Sequence, residues 1–289
     1  MRRILITGAD SYVGVFVEKY LLARGDFRVD TVDMRDGSWR DASFAGYDAV
    51  FHVAGIAHAD KGRISPDREA LYYSVNTDLA VETAKKAKSE GVRQFIFMSS
   101  SLVYGDSAPV GKTKIITADT PVSPSGCSGE STVRAEKGIL ALSGDGFKVA
   151  VLRSPMIYGK GSKGNYPTLS RLARKMPVFP YVQNQRSMIY ADNLAEFVRL
   201  VIVNGEEGVF HPQNAEYSNT SELVRMIAAA HGKRVILVRG FTWALKLMSV
   251  FTGLVSKAFG SLCYDMSLSE YKENYRIASL EESIEFTEK

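Results

Sequence analysis

Apolar positions in the first half of the chain come as short, nearly unbroken runs separated by stretches with helical spacing. "RILIT" (3–7), "RVDTVD" (28–33), "DAVFHVAG" (48–55), "QFIFMSS" (94–100) and "KVAVLRS" (148–154) have the length of strands. Runs without strict alternation suit strands buried on both faces, as in a parallel sheet. Between them, helical periodicity predicts helices at about 13–24, with Gly25 as the stop, and at 67–90 and 128–143. Strand and helix therefore alternate, and right-handed crossovers turn that order into an α/β fold with a doubly wound parallel sheet.

Past Pro155 the pattern loosens. "MIYGKGSKGNYP" (156–167) and "KMPVFPYVQNQRS" (175–187) read as loops, followed by helices at about 192–204 and 219–231 and an apolar stretch at 241–264. Residues 1–155 are expected to form the core. Residues 156–289 are expected to form mainly a smaller lobe over the strand ends, with some elements returning to the core in one compact unit. Composition changes this picture little: 289 residues, 45% hydrophobic and 24% charged, describe a globular protein of at most two lobes. Cys127 and Cys263 lie in no CxxC or metal-ligand spacing, so no metal is expected. "MRRILITGAD" has too short an apolar run for a signal peptide and reads as the first strand of a cytoplasmic protein. The net charge of +4 and pI near 8.9 suit an anionic ligand or surface, while no basic run marks a nucleic-acid track.

"LITGADSYVG" (5–14) leaves a strand and enters a helix. Gly8 permits a tight turn and Gly14 close helix–strand packing. Ser11 stands at the middle position, where a third glycine lets a pyrophosphate approach, and its hydroxyl can bond phosphate. The amides of Ser11, Tyr12 and Val13 would face that pyrophosphate from the helix N-terminus. Asp33 closes the second strand 19 residues after Gly14, where a carboxylate accepts ribose hydroxyls and favours NAD over NADP. Arg35, two residues on, keeps NADP as the lesser option. The expected fold is thus Rossmann-type.

Taken in order, "TGADSYVG" (7–14), "DAVFHVAGIAH" (48–58), Asn76 in "YYSVNTDLA", "FIFMSSSLVYG" (95–105), "AEKGI" (135–139), "LRSPMIYG" (152–159) and "QRSMIYADNLAEF" (185–197) span almost the whole chain. On these segments the chain resembles the extended short-chain dehydrogenase/reductase superfamily, specifically its NAD-dependent nucleotide-sugar epimerases and dehydratases. "NQRSMIYADNL" and "KAFGSLCYDMS" look most like bacterial 4-epimerases of surface-polysaccharide pathways, some acting on UDP-sugars and others on polyprenyl-diphosphate sugars. The resemblance implies that Gly8, Ser11 and Gly14 line the pyrophosphate, that Asp33 meets the ribose, and that Ala54 and Gly55 pass beneath the cofactor with Ser99 nearby. It implies Ser100 as the catalytic Ser/Thr, and Tyr158, Asn165 and Arg186 as substrate-binding residues, with Arg186 on the diphosphate. It also implies a homodimer built on the active-site helix.

That helix departs from the pattern. The family reads Y-G-x-S-K-x-x-A-E, and Gly129, Ser131, Ala135 and Glu136 match. Ser128 stands at the tyrosine position and Thr132 at the lysine position, and none of the 14 tyrosines is followed four residues later by lysine. A phenol with a pKa near 10, lowered by a neighbouring ammonium, serves such enzymes as base. A serine beside a threonine does not reproduce it. Three readings stay open: a 4-epimerase lineage with impaired catalysis, a non-catalytic protein that senses NAD or a nucleotide sugar, and a base relocated to Tyr104 or His58. A dehydratase or 4-keto reductase is a further alternative, although Ser101 and Leu102 supply no acid–base pair beside Ser100. The stretch 241–264 carries Trp243, Lys246 and Lys257 and is too interrupted to span a membrane. It reads either as an amphipathic helix packed on the lobe or as a peripheral membrane contact.

Overall fold

The computed structural model describes residues 1–56, 64–241, 243, 245–247 and 258–289. These divide into two compact units. The first comprises Met1–Gly105, Pro121–Ser154 and Leu194–Pro212; the second comprises Asp106–Thr120, Pro155–Asn193 and Gln213–Lys289.

In the first unit six parallel strands form one sheet: β1 (Arg2–Thr7), β2 (Phe27–Val32), β3 (Ala49–His52), β4 (Gln94–Ser100), β6 (Lys148–Ser154) and β10 (Gly208–Phe210). Their spatial order is β10-β6-β4-β3-β1-β2. The chain moves from β1 outward to β2, then crosses back to place β3 on the other side of β1. Winding therefore reverses beside β1, and that crevice is where doubly wound sheets take their ligands. The α/β, doubly wound parallel architecture is the one the apolar runs predict. β3 and most of β1, β4 and β6 are buried, whereas the edge strand β2 exposes Arg28 and Thr31. Burial on two faces explains the unbroken Val, Ile and Phe content.

Helix α1 (Tyr12–Ala23) links β1 to β2 and stops where Gly25 takes φ +76°. The expected single helix over 67–90 is interrupted: α2 (Pro66–Tyr72) and α3 (Leu79–Ser89) are joined by a π-helical stretch at Tyr73–Asp78. Helix α4 (Gly126–Leu140) runs between β4 and β6 and packs on α3. Its C-terminal half joins Phe44, Phe95, Phe147 and Val149 in the unit's core through Ala135 and Ile139.

The second unit holds strands too short for a period-two signature, which is why its loops were expected to be irregular. β5 (Thr113–Ile116) pairs with β12 (Ser261–Tyr264), β7 (Met156–Tyr158) with β9 (Met188–Tyr190), and β8 (Val178–Pro180) with β11 (Ile236–Val238). The β5–β12 pairing draws residues 106–120 into this unit and out of the expected 1–155 core. Helices α5 (Asn165–Lys175), α7 (Thr220–Ala230) and α8 (Leu280–Glu288) pack around Tyr158, Tyr166, Val224, Ile227 and Ile284. α8 starts at a capping box of Ser279 and Glu282. Helix α6 (Ala191–Asn204) leads into β10.

Candidate functional site

The turn between β1 and α1 is built for close approach. Gly8 has φ +106°, and a Cβ there would lie 2.8 Å from the Ala54 backbone nitrogen. The turn after β1 is thus pressed against the turn after β3, a contact only glycine allows. A Cβ on Gly14 would come within 3.2 Å of Val53, so α1 also sits tightly on the β3 end. Ser11 is the N-cap of α1, and its hydroxyl accepts the Gly14 amide at 3.1 Å. The helix N-terminus carrying the amides of Tyr12 and Val13 opens at this turn. Ala54 and Gly55 are fixed by Asn76 from the π-helical stretch. Its Oδ1 accepts the Ile56 amide at 2.7 Å, and its Nδ2 donates to the Ile56 carbonyl at 3.3 Å. A side chain buried on a widened helical turn thereby holds the loop after β3. Asn76 carried part of the family pattern, but spacing alone gave it no role.

Asp33 follows β2 and is engaged by Arg35, whose Nε donates to both carboxylate oxygens at 2.9 Å. Hydrogen bonding from Arg35 holds the Asp33 carboxyl down at about 2. Arg35 also lies 3.6 Å from Asp10. The guanidinium is therefore held among carboxylates, and a ribose diol arriving at Asp33 would share it with Arg35. Beyond this pair a cleft of about 420 Å³ is lined by Met34, Trp39, Ser74, Val75 and Leu79, all in the first unit.

Ser100 ends β4, and its hydroxyl accepts the Leu102 amide at 3.3 Å, capping the short turn at Ser101–Tyr104. α4 passes this turn at Gly129, where a Cβ would stand 2.8 Å from the Leu102 carbonyl oxygen. That glycine brings the first turns of α4 against the end of β4. Ser128 and Thr132 are both buried there. Thr132 donates its hydroxyl to the Ser128 carbonyl at 2.8 Å, and Ser131 donates to the same carbonyl at 3.1 Å. The hydroxyl at the lysine position is turned back onto its own helix.

The C-terminal half of α4 supports a polar chain instead. Ser99 donates to Glu136, so it is turned toward α4. Glu136 and Arg153 form a buried pair, with Arg153 Nη2 at 2.7 Å from Oε2 and Nε at 3.1 and 3.2 Å from the two oxygens. Arg153 Nη1 donates to the Tyr104 hydroxyl at 2.7 Å, and that hydroxyl is hydrogen-bonded to His211 Nε2 at 2.8 Å. Burial, then the Arg153 charge, lowers His211 to about 4 and keeps it neutral. Tyr104, raised from the residues as a substitute base, is 3% exposed and sits inside this chain of bonds. His58, the other such candidate, lies outside the described residues.

In the second unit, Arg186 makes an antiparallel bridge with Ser218 and a parallel one with Leu262, and its Nη1 donates to the Ala258 carbonyl at 3.2 Å. Burial pushes its pKa down. Asn165 is exposed at the first turn of α5. Tyr158 is fully buried, its hydroxyl bonded to Ser283 and accepting from Asn214 at 2.9 Å. Its surroundings are those of a core residue, and burial pushes its phenol to about 12.

Residues 4–214 match the model of the NAD dependent epimerase/dehydratase family. A UDP-glucose 4-epimerase of Vibrio cholerae is 30% identical over 295 residues, covering 92% of this chain and 88% of that protein. The N-acetyl-alpha-D-glucosaminyl-diphospho-ditrans,octacis-undecaprenol 4-epimerase of Escherichia coli O157:H7 is 26% identical over 254 residues, 80% of this chain and 73% of that one. Among solved structures, UDP-glucuronic acid 4-epimerase from Bacillus cereus in complex with NAD superposes with a TM-score of 0.74 at 16% identity, covering 98% of this chain and 96% of that one.

Proposed function

The chain belongs to the NAD dependent epimerase/dehydratase family, and on that premise we propose that it binds NAD and a diphosphate-linked sugar as a 4-epimerase lineage with impaired catalysis. The observation that carries this reading is the contrast along one crevice. The Gly8–Ala54 contact and the capped N-terminus of α1 form a cradle that only a backbone this close can make. α4 meanwhile presents Ser128 and Thr132, with the Thr132 hydroxyl spent on a helix carbonyl.

NAD, when bound, supplies a hydride acceptor that returns the hydride to the sugar. The chain's own residues then have separable duties. Gly8, Ser11, Tyr12, Val13 and Gly14 hold the pyrophosphate, and Asp33 takes the adenosine ribose beside the 420 Å³ cleft. The carboxylate disfavours a 2′-phosphate, which supports NAD over NADP. Ala54 and Gly55 lie under the cofactor. Ser100 bonds the reacting hydroxyl, while Asn165 and Arg186 receive the diphosphate end. No group on α4 removes the carbinol proton, and general bases are typically worth ~10²–10⁴-fold. UDP-sugars and polyprenyl-diphosphate sugars share the diphosphate that such a site would grip.

The alternative is a protein that binds the same ligands without turnover. The joint loss of phenol and ammonium supports it, because either group alone would still leave part of the machinery. The reading further includes a homodimer, a cytoplasmic location and peripheral contact with a membrane surface. Among the described residues no helix is long and apolar enough to cross a membrane. Titration calorimetry with NAD and then with UDP-glucose tests the binding half. Saturable NAD binding, followed by binding of the sugar nucleotide or of a polyprenyl-diphosphate sugar, is expected. Absence of NAD binding would overturn the reading.

A further inference from the structure

One surface of the second unit plays no part in the binding just described. The parallel ribbon of β8 and β11 pairs Val178 with Ile236, and these two side chains are 44% and 58% exposed. An exposed aliphatic cross-strand pair on a two-stranded ribbon is a poor arrangement for water unless something covers it. Along the chain after β11, Phe241 and Trp243 are 51% and 71% exposed. Alongside the ribbon, against α7, runs a groove of about 440 Å³ whose charged lining is Arg225, Lys233, Arg234 and Arg239 against the single carboxylate of Glu222. Glu222 is itself paired with Arg225 at 2.6 Å. Arg239 lies over the Tyr181 ring at 5.2 Å, an amphipathic stack at the groove wall.

We propose that this face docks the protein on an anionic lipid bilayer, with the groove cations on headgroup phosphates and Ile236, Val178 and Trp243 entering the interfacial layer. Charge selects this occupant. A second copy presenting the same face would set the cations of one groove against those of the other, which disfavours self-association. Exposed aliphatic side chains beside Lys and Arg, with an exposed tryptophan following in the chain, make a composition that favours a lipid–water interface. The proposal rests on the peripheral-contact part of the reading above, and it moves that contact from 241–264 as a whole to the ribbon and groove. It does not depend on what the crevice of the first unit binds.

Co-sedimentation with vesicles of phosphatidylcholine alone, and of phosphatidylcholine with phosphatidylglycerol, tests it on the full chain. The unaltered protein should bind the anionic vesicles and show at least a tenfold lower affinity for neutral ones. Arg234→Glu/Arg239→Glu should cut anionic-vesicle affinity by ~25-fold or more, from about fivefold per basic residue lost. Val178→Ser/Ile236→Ser should weaken binding while leaving the salt dependence in place. Lys19→Glu/Lys85→Glu, on exposed helix positions of the first unit, should change it less than fivefold. NAD affinity, measured on each variant, should stay within twofold and so confirms folding. Failure of the unaltered protein to bind any vesicle overturns the peripheral-contact reading altogether. Binding that survives in the groove variants overturns this inference alone. An equal loss in the Lys19/Lys85 control, or a change of oligomeric state in the groove variants, also overturns it.

Discussion

On the proposed reading, the turn after β1 and the first turns of α4 meet ligand chemistry in opposite ways. At the turn, function needs the absence of side chains. Gly8 takes φ +106°, and a Cβ there would lie 2.8 Å from the Ala54 backbone nitrogen, so the requirement is written into backbone geometry. At α4, function needs particular side chains on a helix that folds equally well without them. Gly129 against Leu102, and Ala135 in the core, keep α4 in place whatever stands at 128 and 132. A binding cradle is thus bound up with the fold, whereas a general base is a detachable decoration. On the proposed reading, that difference is how a chain of this family keeps one and loses the other.

Restoring both side chains on α4 should have the largest effect. Ser128→Tyr/Thr132→Lys should raise UDP-sugar 4-epimerisation by ~10²–10⁴-fold over the unaltered chain; no rise with NAD still bound would favour the non-catalytic reading. Removing what anchors α4 should come next in size. Glu136→Ala strands the largely buried Arg153 guanidinium, whose side chain is 13% exposed, and should cost ~3–5 kcal/mol in urea unfolding. A cost below ~1 kcal/mol would show that the pair does not secure the helix. Gly8→Ala forces an unfavourable φ and a clash with Ala54, and should destabilise by ~1–3 kcal/mol. It should also weaken NAD about tenfold or more, which is ~1.4 kcal/mol. Unchanged NAD affinity would detach the turn from the cofactor.

Acid should act on both regions alike. His52, which bonds Thr7 of β1 at 2.7 Å, is lowered to about 3 by burial, and His211 to about 4. Both are depressed below an ordinary 6.5, so the unfolded chain takes up protons that the folded one refuses. Stability is therefore full above about pH 6.5 and falls as pH drops toward 4, by ~1.4 kcal/mol per pH unit for each histidine. His211→Asn should flatten that slope by about half in thermal melts at pH 4.5 to 7. An unchanged slope would contradict the burial argument.

The sheet was legible in the sequence because β1, β3, β4 and β6 are buried on both faces and so appear as unbroken apolar runs. Asp33 and the glycines of the first turn were legible for a related reason: position along a strand–turn–helix restricts residue type. Three-residue strands such as β7, β8 and β11 were not, since so short a segment shows no periodicity. The break of one expected helix into α2, a π-helical stretch and α3 was hidden because that stretch carries Asn76 onto the Ile56 backbone, a contact across 20 residues that no local pattern records. The chain from Ser99 through Glu136 and Arg153 to Tyr104 and His211 joins segments more than 100 residues apart. Nothing local marks it.

On the proposed reading, the unaltered chain binds NAD but lacks the base that starts hydride transfer. Rapid mixing of the NAD-loaded protein with UDP-glucose, followed by NADH absorbance over a single turnover and run beside Ser128→Tyr/Thr132→Lys, tests it most directly. The NAD-bound unaltered protein is expected to show NADH at least ~100-fold more slowly than the double variant. NADH forming at the same rate in both would contradict it.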